Sequence, residues 1–318
     1  MPLTRSLSRR RVPLLPVLVP LLRRDRDLVL THHAADPLMR MSAVRIGRRL
    51  AQELAKLMSP GRSHSKWGNV MELLEWDAQT YDSLPLPHRR WGSSAIERLT
   101  LTGNETVLDL GCGTGRDTET LLDLLPNGRV IAVDGSRQML DELRTRLAGK
   151  LDRVTVVQLD IQERLDLPDL ADAAVSVATL HWLPDHAAVF RRVAQVLRPG
   201  ARFVAEGGGA GNIVAFRKAL REVSGADGAE IWNFATVEDT RAHLGAAGFT
   251  DIEVHLVADP VQLERGEQLE AFVATVLLGA QLRDMAPEKR RPFVRAVVAR
   301  LPEPTIDYVR LQIEATRA

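Results

Sequence analysis

From residue 105 onward, short apolar runs alternate with amphipathic stretches. ETVLDLG (105–111), RVIAVDG (129–135), VTVVQLD (154–160), ADAAVSVATLHW (171–182) and ARFVAEGG (201–208) have the length and apolarity of strands. Between them, GRDTETLLDLLPNG (115–128), SRQMLDELRTRLAGK (136–150) and PDHAAVFRRVAQVLRPG (184–200) space their apolar residues as helices do. Ser136 reads as an N-cap, Pro184 as a first helical residue and Pro199-Gly200 as a stop. The run 171–182 is apolar along its length, as a strand covered on both faces should be. This alternation with short links predicts a parallel, doubly wound α/β sheet. Further on, the pattern predicts helices near 211–222 and 236–248, a strand at 252–263, helices at 267–283 and 287–300, and a final strand at 305–317. Residues 264–302 then form a helical insertion before the last strand, placed to close over a pocket.

The chain before residue 70 is different material. VPLLPVLVPLL (12–22) follows Arg9, Arg10 and Arg11, but Pro13, Pro16 and Pro20 break a helix there. The run is about half the length a membrane span needs, so stable membrane insertion is not expected. VRIGRRLAQELAKLM (44–58) has the spacing of a short amphipathic helix, and SPGRSHSKWGN (59–69) reads as a linker. Met1 to Lys66 holds 14 Lys+Arg and 4 Asp+Glu, net +10, which leaves 28 basic and 37 acidic residues, net −9, for the rest. Residues 1–69 are therefore read as a basic, poorly ordered extension and 70–318 as the folded domain. Over all 318 residues the net charge is only +1, so no general basic field draws the protein to nucleic acid. An aromatic fraction of 4% argues against a base-stacking platform. The single cysteine, Cys112, excludes an internal disulfide and a multi-cysteine metal site, and fits a reducing cytoplasm.

Candidate chemistry gathers where strands end. The first strand runs into Asp109-Leu110-Gly111-Cys112-Gly113-Thr114-Gly115. Glycines let a backbone turn sharply and approach a ligand at the carboxyl edge of a sheet. The spacing is G-x-G-x-G, because position 116 is Arg, and not the G-x-G-x-x-G of nicotinamide dinucleotide sites. Asp109, two residues before the first glycine, suits a ligand carrying an ammonium group. Asp134 ends the second strand, 23 residues beyond Gly111, where an acid accepts two ribose hydroxyls. Asp160 ends the third, placed to receive an exocyclic amine. Each acid alone passes for a turn residue, but three in register with a glycine loop point into one crevice.

These residues resemble the class I S-adenosylmethionine-dependent methyltransferases. The matching segments are VLDLGCGTG (107–115), IAVDGSRQML (131–140), VVQLDIQ (156–162), ATLHWLPDH (178–186) and VLRPGARF (196–203). The small-molecule branch near the trans-aconitate methyltransferases is the most similar. It carries a W-D-x-x-x-Y-D segment, here from Trp76 to Asp82, and a W-x-P-D-H motif after strand four. The resemblance implies a Rossmann-like, seven-stranded sheet, mostly parallel with one antiparallel strand. It also implies S-adenosyl-L-methionine as cofactor and a small-molecule acceptor, not nucleic acid. Gly111, Cys112 and Gly113 would line the methionine part of the cofactor, and Asp109 would support its amino group directly or through water. Asp134 would hold the ribose, Gly135 and Met139 would flank the adenine, and Asp160 and Ile161 would meet its edge and face. Thr179, Leu180 and His181 would border the sulfonium, and Tyr81 would close the N-terminal side. Trp76, Arg90, Trp91, Trp232 and Asn233 are the candidates to line the acceptor side.

Two roles stay open for His181: a general base, if the acceptor must lose a proton, or a group that only shapes the pocket. His181 and His186 flank Asp185, but a helix opening at Pro184 would part them, so no metal is expected. Asp185 reads equally as a helix-start charge. A non-catalytic cofactor-binding protein on the same fold is the alternative to an enzyme, and the acceptor, a carboxylate or a hydroxyl, is not legible.

Overall fold

The computed structural model describes residues 75, 78, 82 and 87–318, save 164, 166 and 168. The chain divides between His64 and Ser65, and every described residue belongs to the second part. The apolar run 12–22, the helix expected at 44–58, the linker at 59–69, Trp76 and Tyr81 lie outside the described residues.

The described chain opens with α1 (His88–Glu97) and then alternates: β1 (Thr106–Leu110), α2 (Arg116–Leu124), β2 (Arg129–Asp134), α3 (Arg137–Arg146), β3 (Val154–Gln158), β4 (Ala171–Val177), α4 (His186–Val196) and β5 (Leu197–Gly208). Next come α5 (Val214–Ser224), α6 (Val237–Ala246), β6 (Phe249–Ala258) and β7 (Val261–Gln262). The insertion holds α7 (Glu267–Phe272), a π turn (Val273–Leu277), α8 (Gly279–Arg283) and α9 (Pro287–Val298), and β8 (Thr305–Ile306) and β9 (Val309–Arg317) complete the chain. Seven strands form one sheet in the order β3-β2-β1-β4-β5-β9-β6. The first five run parallel, and β9 lies antiparallel between β5 and β6. This is the seven-stranded, mostly parallel architecture expected from the sequence.

Strand alternation supplies both faces of the sheet with core. In β1 and β2, Val107, Val130 and Ala132 pack to one side, while Leu108, Leu110, Ile131 and Val133 pack to the other. Burying each such side chain stabilises the fold by roughly 1.5–3 kcal/mol.

Local details differ from the periodicity. The run 171–182 is not one strand: β4 stops at Val177, Ala178 takes φ +55°, and Leu180–Trp182 forms a 3-10 turn. Pro184 does not open α4. Asp185 is its N-cap, with the carboxylate accepting from the Ala188 N–H at 2.8 Å. α4 ends at Val196, and β5 begins at once and runs through Pro199-Gly200, with Gly200 at φ +84°. The strands expected at 252–263 and 305–317 are each broken. Asp259-Pro260 separates β6 from β7, and β7 pairs with β8 in a small sheet of its own. Pro260 has no N–H for the ladder, and the Asp259 side chain is drawn off by Arg90 and the indole of Trp91. The helix expected at 267–283 is interrupted by the π turn. No helix among the described residues is long and apolar enough to cross a membrane.

Candidate active site at the carboxyl edge of the sheet

β1 hands the chain to α2 through the glycine loop, which is pinned to β2. The N–H groups of Gly111 and Cys112 both donate to the Val133 carbonyl, at 2.8 and 3.1 Å. Gly111 takes φ +76°, and a Cβ there would lie 2.0 Å from the hydroxyl of Thr179. Gly113 takes φ +53°, and the same construction meets nothing within 4 Å, so the loop opens outward at that point. Asp134 spans the mouth of the loop: one carboxylate oxygen accepts from the Gly113 N–H at 2.9 Å and the other from the Ser136 N–H at 2.8 Å. Burial raises its pKa, against the opposing pull of these amides.

Two described residues that precede α1, Glu75 and Asp82, are tied to the same edge. Glu75 accepts from the Ser136 hydroxyl at 2.8 Å and from the Arg137 N–H at 3.0 Å, so it sits at the N-terminus of α3. Asp82 accepts from the Thr114 hydroxyl at 2.8 Å and pairs with Arg116 and Arg146.

A cavity of about 220 Å³ opens from this edge. At one end it is walled by Gly111, Gly113, Asp134, Gly135, Met139 and Asp160, with Ile161 and Thr179 beside them. The other end is aromatic: Trp91, His181, Trp232, Phe234 and Tyr308. The insertion contributes Val276, Leu277, Ala280 and Arg283, and β9 contributes Arg310.

Five other expected residues lie off this wall. Asp109 follows Val107 by two positions, so strand alternation turns it under α2. There it is buried and accepts from the Thr118 hydroxyl at 2.7 Å. Burial, reinforced by Asp117, pushes its pKa up to about 8, so at neutral pH it is a neutral acid bracing the loop. Cys112 is buried in the core beneath the loop, where burial drives its thiol well above the usual range. Leu180 packs into the opposite core. Arg90 is exposed and pairs with Asp259 at 2.7 Å. Asn233 braces the turn after β4, donating from its backbone to the His181 carbonyl at 2.8 Å and from its amide to Leu183 and Pro184.

His181 lines the same cavity beside Phe234. Its Nδ1 accepts from the Gly208 N–H at 3.3 Å, and its ring lies 6.1 Å from that of Phe234. Burial, helped by the positive charge of Arg310, holds its pKa well below the usual histidine range, so the ring is neutral. With Nδ1 accepting, the proton resides on Nε2. The ring therefore offers an N–H donor and no free basic nitrogen.

Arg310, Tyr308, Asn212, His88 and Arg283 also line the cavity but were not anticipated. Arg310 carried no signal of its own: in the alternating final strand VRLQIEATR it shares its parity with Gln312, Glu314 and Thr316 and reads as a polar-face residue.

Residues 107–200 match the model of the methyltransferase domain family. Over this stretch, from β1 to the start of β5, the chain is similar to methyltransferase domains. The trans-aconitate 2-methyltransferase of Acidovorax sp. (strain JS42) is 34% identical over 127 residues, covering 40% of this chain and 47% of the relative. The trans-aconitate 2-methyltransferase of Escherichia coli O1:K1 / APEC is 32% identical over 126 residues, covering 39% and 48%. The match thus spans about half the length of these relatives. Among solved structures, the YcgJ protein of Bacillus subtilis aligns with TM-score 0.54 at 15% identity, over 72% of this chain and 99% of that one. Phosphoethanolamine N-methyltransferase 2 of Haemonchus contortus aligns with TM-score 0.51 at 18% identity, over 72% and 52%. Both share the fold of this chain's described part.

Proposed function

We propose that the protein transfers a methyl group from S-adenosylmethionine to a small molecule. The observation that carries this reading is one continuous cavity. It joins a glycine-and-acid edge made by β1, β2 and β3 to an aromatic chamber closed by the insertion and β9. The donor set at the first end suits the cofactor. Asp134 offers two carboxylate oxygens to the ribose hydroxyls, Asp160 and Ile161 the edge and face of the adenine site, and Gly111 and Gly113 room for the methionine part. Asp109 fits less well, because a buried neutral acid under α2 acts on the loop and not on an ammonium group.

When bound, S-adenosylmethionine supplies a methyl group on a positively charged sulfur; an acceptor lone pair forms the new bond to carbon as the carbon–sulfur bond breaks, its electron pair staying on sulfur. The protein's own work is to hold and align the acceptor, which can supply roughly 7–11 kcal/mol of barrier reduction. His181 contributes an N–H donor, which positions an acceptor without deprotonating it. That favours an acceptor needing no base, such as a carboxylate, whose product is a neutral ester with no proton to release. The likeness to trans-aconitate methyltransferases points the same way.

Calorimetric titration with S-adenosylhomocysteine and with NAD tests the reading, and the first should bind while the second does not. Turnover is then sought with methyl-labelled S-adenosylmethionine and a panel of carboxylates that includes trans-aconitate. Binding without turnover of any acceptor would leave a cofactor-binding protein on the same fold.

A further inference from the structure

Arg310 is the most deeply buried cation of the described chain, 2% exposed, and it lines the cavity. Its guanidinium carbon lies 3.6 Å from the ring centroid of Trp91, which stacks against it. Its Nε reaches Glu206 at 3.5 Å, long for a charge-assisted hydrogen bond. Glu206 is shared, because Arg98 approaches its other oxygen at 3.2 Å and the Gln312 amide at 3.4 Å. Nη2 of Arg310 is buried and has no hydrogen-bond partner among the described residues. A guanidinium carries five N–H donors, so a buried one with a vacant arm against a cavity wall is arranged for an anion.

The surroundings narrow the anion's carrier. Trp232 and Phe234 present nearly parallel rings, 6.0 Å apart and 8° from coplanar. Val276 and Leu277 of the π turn cover the same chamber. His88, like His181, is neutral there, pushed down to about 3 by burial and by Arg310. Among the described wall residues, the remaining arginine is Arg283, which is exposed on the insertion. The chamber thus offers one buried charge and broad, flat, apolar walls.

Resting on the methyltransferase reading above, we propose that Arg310 anchors the methyl acceptor, and that the acceptor is a monocarboxylic acid with a flat, apolar body. The carboxylate docks on Arg310, and the body lies against Trp91, Trp232 and Phe234. A tricarboxylate such as trans-aconitate would bring two further charges into a chamber whose other cation, Arg283, is exposed, so their desolvation would be offset only in part.

The test is calorimetry on the full chain with saturating S-adenosylhomocysteine. The probes are cinnamate, benzoate, indole-3-acetate, the neutral isostere cinnamamide, and trans-aconitate. At least one aryl carboxylate should bind. For cinnamate, the amide should be about 30-fold weaker, the worth of one hydrogen bond to a charged group. Arg310→Gln should lower carboxylate affinity by about the same factor and leave the amide and S-adenosylhomocysteine unmoved, while Arg310→Lys restores part of the loss. If Arg310→Gln does not fold, the paired variant Arg310→Gln/Glu206→Gln keeps the buried charge balanced and carries the same expectation. Acid and amide binding alike, Arg310→Gln binding the acid as wild type does, or none of the three acids binding would overturn the anchor. Trans-aconitate binding more tightly than every monoacid would overturn the monoacid assignment. Failure of the wild type to bind S-adenosylhomocysteine would instead strike the methyltransferase reading, and the acid and amide titrations without it would still judge Arg310.

Discussion

Asp134 does two jobs with one carboxylate. Its oxygens hold the glycine loop and the start of α3 through backbone amides, and we propose that their remaining lone pairs meet the cofactor. Asp134→Ala should therefore weaken S-adenosylhomocysteine about a hundredfold, the cost of two hydrogen bonds to a charged acceptor, while circular dichroism shows a folded chain. An unchanged affinity in the folded variant would confine Asp134 to bracing the loop. His181 leads to a different expectation, because its accepting Nδ1 and low pKa remove it as a base. Activity on the best acceptor should show no titration of this ring between about pH 6 and 9. His181→Gln, which retains an N–H donor, should raise KM more than it lowers kcat. A loss of kcat of a hundredfold or more, together with a vanished acidic limb in the rate profile, would restore the general-base role.

At the scale of elements, α1 is set against α2 by the absence of a side chain. A Cβ on Gly92 would lie 2.0 Å from an Asp117 carboxylate oxygen, and Asp117 is itself buried, so it has little room to retreat. Gly92→Ala should push α1 outward, carrying His88 and Trp91 of the cavity wall with it. Overpacking of this kind costs roughly 1–3 kcal/mol, which at this size lowers Tm by several degrees. Acceptor affinity should suffer more than S-adenosylhomocysteine affinity, because α1 walls only the aromatic end. Equal losses of both ligands would show that the helix contact is felt across the whole site. The break after β4 matters in the same way: Ala178 at φ +55° turns the chain so that Thr179 and His181 reach the cavity, where a continued strand would carry them past it.

For the whole molecule, two sets of buried titratable groups pull stability in opposite directions. His88, His181 and His186 are all held below the usual range, chiefly by burial. Unfolded, these rings take up protons near pH 6.5; folded, they do not, so stability is lost as pH falls through that value. Asp109 and Asp117 are raised by burial to about 8 and about 6. They keep protons that the unfolded chain gives up above about pH 4, so their contribution declines as pH rises from there toward 8. Near pH 5 the unfolded chain holds the larger excess and stability climbs with pH; above pH 7 Asp109 dominates and it falls. Thermal melting of the ligand-free protein should peak near pH 6.5, and Asp109→Asn should flatten the decline between about pH 7 and 8.5. A wild-type Tm still rising across that last interval would contradict the neutral state assigned to Asp109.

The architecture was legible because its signals are local. Apolar runs, the Ser136 cap and the glycine loop each act within a few residues, and strand ends in register carry Asp134, Asp160 and Gly111 to one edge without reference to anything distant. Where local signals compete, structure chooses: Pro184 has the form of a helix start, yet the Asp185 side chain takes the free amide of Ala188 and caps the helix. Asp109 stands at the right height along β1, but strand alternation gives it the face under α2, where it accepts from Thr118. Of the aromatic end, the sequence marks Trp91, His181 and Trp232 singly, but nothing local joins them to Tyr308 and Arg310. His88, His181 and Arg310 are separated by about a hundred residues each, and they meet only because β9 inserts antiparallel between β5 and β6 and lays its first residues against α1. The sequence alone determined the edge that gathers the glycine loop, Asp134 and Asp160, since hydrogen-bond periodicity and turn chemistry are properties of short segments. What closes over that edge, and which charge waits inside, only the tertiary structure decided, because strand order and long-range packing bring together residues that carry no mark of one another.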